Sequence, residues 1–316
     1  MKRNLKNISL TLFFVFLTLA PLYAEGSYKF HREIKKTYDA KPGMKLSVSG
    51  RNGKIEIEKW DKDQVEIFAT VGSNKSMEEL DKIDIDISVD ENIVIETRYP
   101  GYKSKKKGEK SYDEEDFSFW DLIKTIISSG VVGSGVSVDY EIKVPEYVVV
   151  SNVNTTNGEI DLEGTKGPSK LSTTNGKIEV ENVEGDIKAH STNGKIEIEK
   201  AKGIVTASTT NGKIEVKSEG IKNLTTTNGG IEAEIKKLEK EDINIRTTNG
   251  SITIALPASL NSVLELSTTN GGIDLDGITL EVIAQHKNKY IKGTMGKGGP
   301  KINASTTNGS IKIGKL

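Results

Sequence analysis

The side chains able to do chemistry in this chain are carboxylates and lysines set out in repeating columns. They are not gathered into one catalytic set. There is no cysteine, which removes disulfides, thiolate metal sites and thiol nucleophiles together. Imidazole could come only from His31, His190 and His286, which share no metal-ligand spacing. His190 falls between two residues of inward parity, Ala189 and Ser191, and is expected to point to solvent. Asp161, Glu179, Glu197, Glu215 and Glu232 recur at one outward position, and Glu163, Glu181 and Glu199 at the next. Carboxylates one strand apart repel unless a cation intervenes, and Lys177, Lys195 and Lys213 form an adjacent column that offers this compensation. A glycosidase needs two carboxylates in unlike environments, and a ladder of equivalent ones offers the reverse. No catalytic residue, cofactor site or metal site is therefore assigned. Lys177, Lys195, Lys213, Glu179, Glu197 and Glu215 stand as the candidate outward contact column, either a solvated mixed-charge face or a dock for a cation or basic surface.

These columns exist because the chain repeats. Asn-Gly pairs start at Asn52, Asn157, Asn175, Asn193, Asn211, Asn228, Asn249, Asn270 and Asn308, with spacings from Asn157 of 18, 18, 18, 17, 21, 21 and 38. A period near 20 marks a stacked array. Isoleucine always stands two positions after the glycine, and apolar and charged residues alternate from there, as a strand with one buried face requires. Four residues before each asparagine of the main array the residue is apolar, and two before it Thr or Ser. Two architectures share this parity: an antiparallel meander of Asn-Gly hairpins and a parallel solenoid of about 18–21 residues per coil. Only the solenoid puts equivalent polar residues in contact, at strand spacing. That explains why the Thr-Thr-Asn-Gly wording itself repeats. Its asparagines are expected to be buried and to pass amide hydrogen bonds from coil to coil, and its glycines to supply positive φ.

The segments "NTTNGEIDLEG" (154–164), "STTNGKIEVENVEGDI" (172–187) and "GKGGPKINASTTNGSIKI" (296–313) resemble a bacterial family known as "putative adhesins", built of β-strand repeats. The resemblance spans essentially the whole chain after residue 24. It implies an all-β, single-stranded right-handed β-helix and, weakly, adhesion. It brings no catalytic residues with it.

The ends and one insertion depart from the rhythm. Lys2, Arg3 and Lys6, the apolar run Ile8 to Ala20, and Ala24 after "LY" read as a signal peptide over 1–24, with a retained N-terminal anchor as the alternative. Its removal leaves 41 basic against 45 acidic residues, a balance unlike that of a nucleic-acid binder. No later apolar run is long enough to span a bilayer. Residues 25–100 read as N-terminal β coils, with 76–98 as further strands, and 138–316 as the main array. Between them, 101–137 holds a lysine-rich loop and a short amphipathic helix near 117–129. Its stripe of Phe119, Trp120, Ile123 and Ile127 would cap the stack or dock a partner. The chain ends almost on a strand, which leaves end-to-end self-association open. The expectation is an exported protein (periplasmic, cell-surface or secreted) that binds an envelope, glycan or protein partner. A polymerising envelope element and a polysaccharide-active enzyme are the alternatives.

Overall fold

The computed structural model describes residues 28–100 and 135–316. The segments expected to form a signal peptide (1–24) and a short helix (117–129, with Phe119, Trp120, Ile123 and Ile127) lie outside the described residues. The N-terminal part runs β1 (Phe30–Asp39), β2 (Lys45–Ser49), β3 (Ile55–Trp60), β4 (Gln64–Ser73), the helix α1 (Met77–Leu80), β5 (Asp84–Val89) and β6 (Ile93–Arg98). The middle runs β7 (Val136–Pro145), β8 (Val149–Asn154), β9 (Ile160–Glu163), β10 (Ser169–Thr173), β11 (Ile178–Glu181), β12 (Ile187–Ser191), β13 (Ile196–Asn211), β14 (Ile214–Asn228) and β15 (Ile231–Ile235). The last part runs β16 (Ile243–Arg246), β17 (Ile252–Leu256), β18 (Ser262–Thr268), β19 (Ile273–Asp276), β20 (Glu281–His286), β21 (Tyr290–Met295), β22 (Lys301–Thr306) and β23 (Ile311–Lys315). Among the described residues no helix is long and apolar enough to cross a membrane.

The strands stack into two faces that enclose one apolar core. The zipper face runs β3, β9, β11, the first half of β13, the first half of β14, β15, β17, β23 and β19, all parallel. The amide face runs β6, β2, β8, β10, β12, the second halves of β13 and β14, β16, β22 and β18, also parallel. Like residues meet like: Ile178 pairs with Ile160 on one side and Ile196 on the other. All nine isoleucines after the Asn-Gly pairs are buried, and each such side chain contributes about 1.5–3 kcal/mol. The meander is excluded for this array.

The stack is not a strictly parallel helix. β4 pairs antiparallel with both β1 and β7, β5 with β6, and β21 with both β18 and β20. The stretch 76–98, expected to be strands only, begins with α1 and continues as the β5–β6 hairpin. Coil length is not uniform either, because stacking order departs from chain order. The coil β22–β23 inserts between β16–β17 and β18–β19. At the other end β2 and β3 sit between β6 and β7 on one side and β8 and β9 on the other. The C-terminal strand is thus interior, and the idea that the chain ends on a bare strand is overturned. Among the described residues the edges belong to β1, β5, β19 and β20, and β1 protects its edge with Arg32, Lys35 and Lys36.

Candidate binding faces and the corner that carries them

The Thr-Thr-Asn-Gly corner holds adjacent coils together by three separate devices. Each asparagine amide beyond Asn52 donates to the asparagine of a neighbouring coil, while Asn52 Nδ2 donates to Val136 O. Asn175 Nδ2 reaches Asn157 Oδ1 at 2.7 Å, Asn193 reaches Asn175 at 2.7 Å, and Asn211 reaches Asn193 at 2.7 Å. The ladder begins with Asn157 on Asn52 and continues through Asn228 and Asn249 to Asn308, then to Asn270, at 2.7–2.8 Å. Asn308 thus stands between Asn249 and Asn270, as the inserted coil demands. From Asn157 onward these asparagines are exposed, and Asn52 is half-buried, which corrects the expectation of burial. A chain of identical amides satisfies itself in register without being dry.

From Thr173 onward the first threonine of each motif (a serine at Ser191) points inward and is buried, and its hydroxyl donates to a glycine carbonyl one coil away, whereas the buried Thr155 hydroxyl has no such partner. Thr209 Oγ1 reaches Gly194 O at 3.1 Å, Thr226 reaches Gly212 O at 3.0 Å, and Thr247 reaches Gly229 O at 2.8 Å. Thr209→Val keeps the shape and deletes the donor. We expect about 1–2 kcal/mol of lost stability in urea unfolding, against a change near zero for Thr210→Val, whose side chain faces outward.

The glycines do not serve as expected. Of the nine Asn-Gly glycines only Gly53 has a left-handed φ, of 114°. The others are required by close approach: a Cβ on Gly194 would stand 1.7 Å from Gly176 O, and one on Gly176 1.8 Å from Gly158 O. The turn-forming glycines belong instead to the opposite corner, as Gly167 and Gly185 do, with φ of 94° and 139°.

On the zipper face the candidate contact column is paired within the protein. Lys177 meets Glu179 and lies 3.2 Å from Glu197; Lys195 lies 3.0 Å from Glu197 and 2.6 Å from Glu215; Lys213 meets Glu215 and lies 2.7 Å from Glu232. Each lysine therefore bridges two coils. The hydrogen bond from Lys195 holds Glu197 below the usual carboxylate range against its burial, with Lys177 adding to it. Burial alone would raise Glu215, but Lys195 and Lys213 outweigh it and bring it down too. Lys195 and Lys213 are raised in turn, first by Glu215. Depressed carboxylates stabilise the fold above their unfolded value, about 4.3. We expect this contribution intact above about pH 5 and lost as acid carries Glu197 and Glu215 through their lower folded values. The lysines' share is present below about 10.4 and lost as pH rises through their raised values. Each pair is half-exposed and worth under about 1 kcal/mol, so Lys195→Gln should flatten the acid limb of a melting-temperature profile only slightly, and high salt should hide the difference.

Glu159 breaks this column, and its charge was not singled out in the sequence. It stands where Lys54, Lys177 and Lys195 stand in other coils, and carboxylate oxygens of Glu159, Asp161 and Glu179 come within 4.8 Å of one another. Burial, then Asp161, pushes Glu159 up. Lys54 lies 2.5 Å from Asp161 and Lys177 pairs with Glu179, so lysines already answer two of the three charges.

The amide face is chemically different. Opposed outward positions read Asn152, Lys170, Lys188, Thr206, Asn223, Asn244 and Asn303 in one column, and Asn154, Ser172, His190, Ser208, Thr225, Arg246 and Ser305 in the next. His190 faces outward as its parity predicts but is half-buried, with Nδ1 2.8 Å from Ser208 Oγ, and desolvation lowers its pKa. It borders a shallow groove of about 210 Å³ with Asn152, Lys170, Lys188 and Thr206.

The molecule is an all-β, solenoid-like stack with two unlike outer faces. The motif's resemblance is confirmed: the chain belongs to the Toastrack DUF4097 family, whose model matches residues 35–314. Among similar crystal structures is a "putative cell adhesion protein" from Clostridium sporogenes (14% identity, 91% of this chain, 100% of the other, TM-score 0.24). Another is a "putative lipid binding protein" from Parabacteroides distasonis (13%, 90% and 96%, TM-score 0.48). A third is a "putative adhesin" from Bacteroides fragilis (14%, 90% and 97%, TM-score 0.31). No curated protein matches.

Proposed function

We propose that this chain is an exported, non-enzymatic binding module, an adhesin-like right-handed solenoid whose outer sheet faces hold its ligand. The supporting observation is that parallel strands stack coil on coil along both faces, with like residues opposed over most of the array. Such a surface suits an extended partner better than a small substrate. Glu159 and Asp161 are two carboxylates in unlike environments, but they lie partly exposed on an outer sheet face, so the enzyme reading gains little from them. The N-terminal basic-apolar segment supports export.

A screen of the purified protein against immobilised glycans and matrix proteins tests this reading. Saturable binding to at least one extended polymer is expected, and its absence from the whole screen would overturn the reading. Polymerisation through the edge of β20, where Val282 and Ile283 are 51% and 60% exposed, is the second reading. Concentration-dependent sedimentation would favour it.

A further inference from the structure

Every corner of the main array carries an Asn-Gly pair, and that dipeptide can react with itself. The glycine nitrogen attacks the asparagine Cγ and forms a cyclic imide. Nδ2 is expelled as ammonia, taking the pair of the broken C–N bond and the glycine's proton. Water then opens one C–N bond of the imide and leaves aspartate or isoaspartate. Glycine favours the step because it has no Cβ to hinder its nitrogen. Exposure does not separate the pairs, since each asparagine from Asn157 onward is exposed. Hydrogen bonding does.

We propose that the amide ladder shields the interior pairs from this deamidation and leaves Asn270–Gly271 as the chain's modification site. The asparagines from Asn157 to Asn249, and Asn308, are held at both atoms of the amide, with Nδ2 donating to one neighbour and Oδ1 accepting from the other. Asn270 Nδ2 donates to Asn308 Oδ1 at 2.8 Å, and among the described residues no donor reaches its own Oδ1. The strand that follows, β19, pairs with β23 alone, so no further coil supplies one. Swinging Cγ onto the glycine nitrogen therefore breaks two ladder bonds in the interior and one at Asn270. At four corners the nucleophile is held as well. Gly53, Gly212, Gly229 and Gly250 donate their N–H to the asparagine carbonyl of the neighbouring coil at 3.0–3.2 Å, and among the described residues Gly271 makes no such bond. Asn52, at the other end of the ladder, is no counterpart: its Nδ2 donates to Val136 O and its Oδ1 accepts from Asn157.

The product changes the end of the stack. A carboxylate at position 270 has no N–H to offer Asn308 Oδ1, so the last rung is lost. The interior rungs keep both their bonds. The reaction also adds a negative charge beside β19, close in sequence to the exposed Asp274 and Asp276, where the repeat reaches an edge. Charge on an edge opposes pairing with another copy, so the modified edge is a poorer template than the parent one. This holds whatever the two outer faces bind.

The test is peptide mapping by mass spectrometry of the purified full chain kept in mildly alkaline buffer, with the conversion of each Asn-Gly peptide followed over time. A sample unfolded in guanidinium chloride supplies the intrinsic rates. These should be alike across the main array, because threonine precedes the asparagine in every pair there. In the folded chain Asn270 should react fastest, about three- to tenfold ahead of pairs that must break one bond more. Asn211, Asn228 and Asn249, whose glycine nitrogens are also held, should be slowest. Asn193→Ala takes the donor from Asn175 Oδ1 and should speed Asn175 by a similar factor, with circular dichroism and the urea midpoint reporting that the stack is kept. Asn308→Ala makes the same comparison at Asn249 if the first variant unfolds. Two results would overturn the proposal. One is an Asn270 no faster than Asn175 or Asn193 in the folded parent. The other is a folded variant in which the asparagine that lost its donor keeps its parent rate, since the lead of Asn270 would then trace to fraying of the end coil.

Discussion

A chain that stops at Pro300 should fail to form the C-terminal third of the stack. The lost segment contains β22 and β23, which contribute Ile302, Ala304, Ile311 and Ile313, all at most 1% exposed. Burial of three isoleucines alone is worth about 5–9 kcal/mol, comparable with the whole net stability of a typical domain. The position matters more than the sum. In a stack that follows chain order, this deletion would strip one end coil and leave the rest intact. Here it empties a slot between β16–β17 and β18–β19, cuts the asparagine ladder between Asn249 and Asn270, and leaves two sets of strands without partners. Urea unfolding and limited proteolysis should show residues from about Ile243 onward cleaved under conditions where β9 to β13 persist. A truncated chain that melts within a few degrees of the full one would contradict the insertion.

The same arrangement recurs at the other end, where β2 and β3 are tucked one strand inside the stack. The repeat coil at that end is therefore clamped on two sides, whereas at the C-terminal end β18 lies between β21 and β22 but β19 pairs with β23 alone. The stack's margins are built largely from the antiparallel strands β1, β4, β5, β20 and β21, which lack the repeat, and from β19, which carries it. A solenoid whose repeat wording reached its own edge would offer a ready template for another copy. Here the repeating surface reaches an edge only at the four-residue strand β19 among the described residues. Folding must accordingly wait for the last residues, because β18 and β19 gain their inner neighbours only once β22 and β23 are available.

Much of this architecture could be read from residue types. The Ile-x-apolar alternation after each Asn-Gly fixed which side chains are buried, and the repeated threonines pointed to like-on-like stacking. Lys177, Lys195 and Lys213 were expected to offset the carboxylate column, and they do so. Coil order was not legible, because Asn270 and Asn308 carry the same motif and nothing local says which follows Asn249. The long 38-residue interval before Asn308 was the available signal, since it is room for a hairpin such as β20–β21. The amide face escaped attention for a different reason. Its residues vary from coil to coil, so no repeat advertises them. Asparagine burial was misjudged because a self-satisfying ladder does not need exclusion of water.

The glycine of the motif offers the sharpest contrast between two physical explanations. If Gly194 were there to adopt a left-handed turn, asparagine would be its mildest replacement, because asparagine tolerates that conformation. If it is there to let two backbones touch, any Cβ is equally unwelcome. The geometry favours the second: the added carbon would lie 1.7 Å from Gly176 O and 2.6 Å from Gly176 C, and neither is the end of a flexible side chain. Gly194→Ala and Gly194→Asn should therefore each cost about 3 kcal/mol or more, since the coils must separate at the corner. The same separation would stretch the Asn175–Asn193 bond and pull the Ser191 hydroxyl from Gly176 O, now 3.1 Å away. Gly272→Ala is the control, because a Cβ there meets nothing within 4 Å, and it should stay within about 0.5 kcal/mol of the parent. Urea midpoints for the three variants decide the matter. A mild Gly194→Asn beside a severe Gly194→Ala would restore the turn explanation. Equal severity would establish that the motif's glycine sets the distance between coils, on which the amide ladder, the threonine bonds and the Lys–Glu bridges all depend.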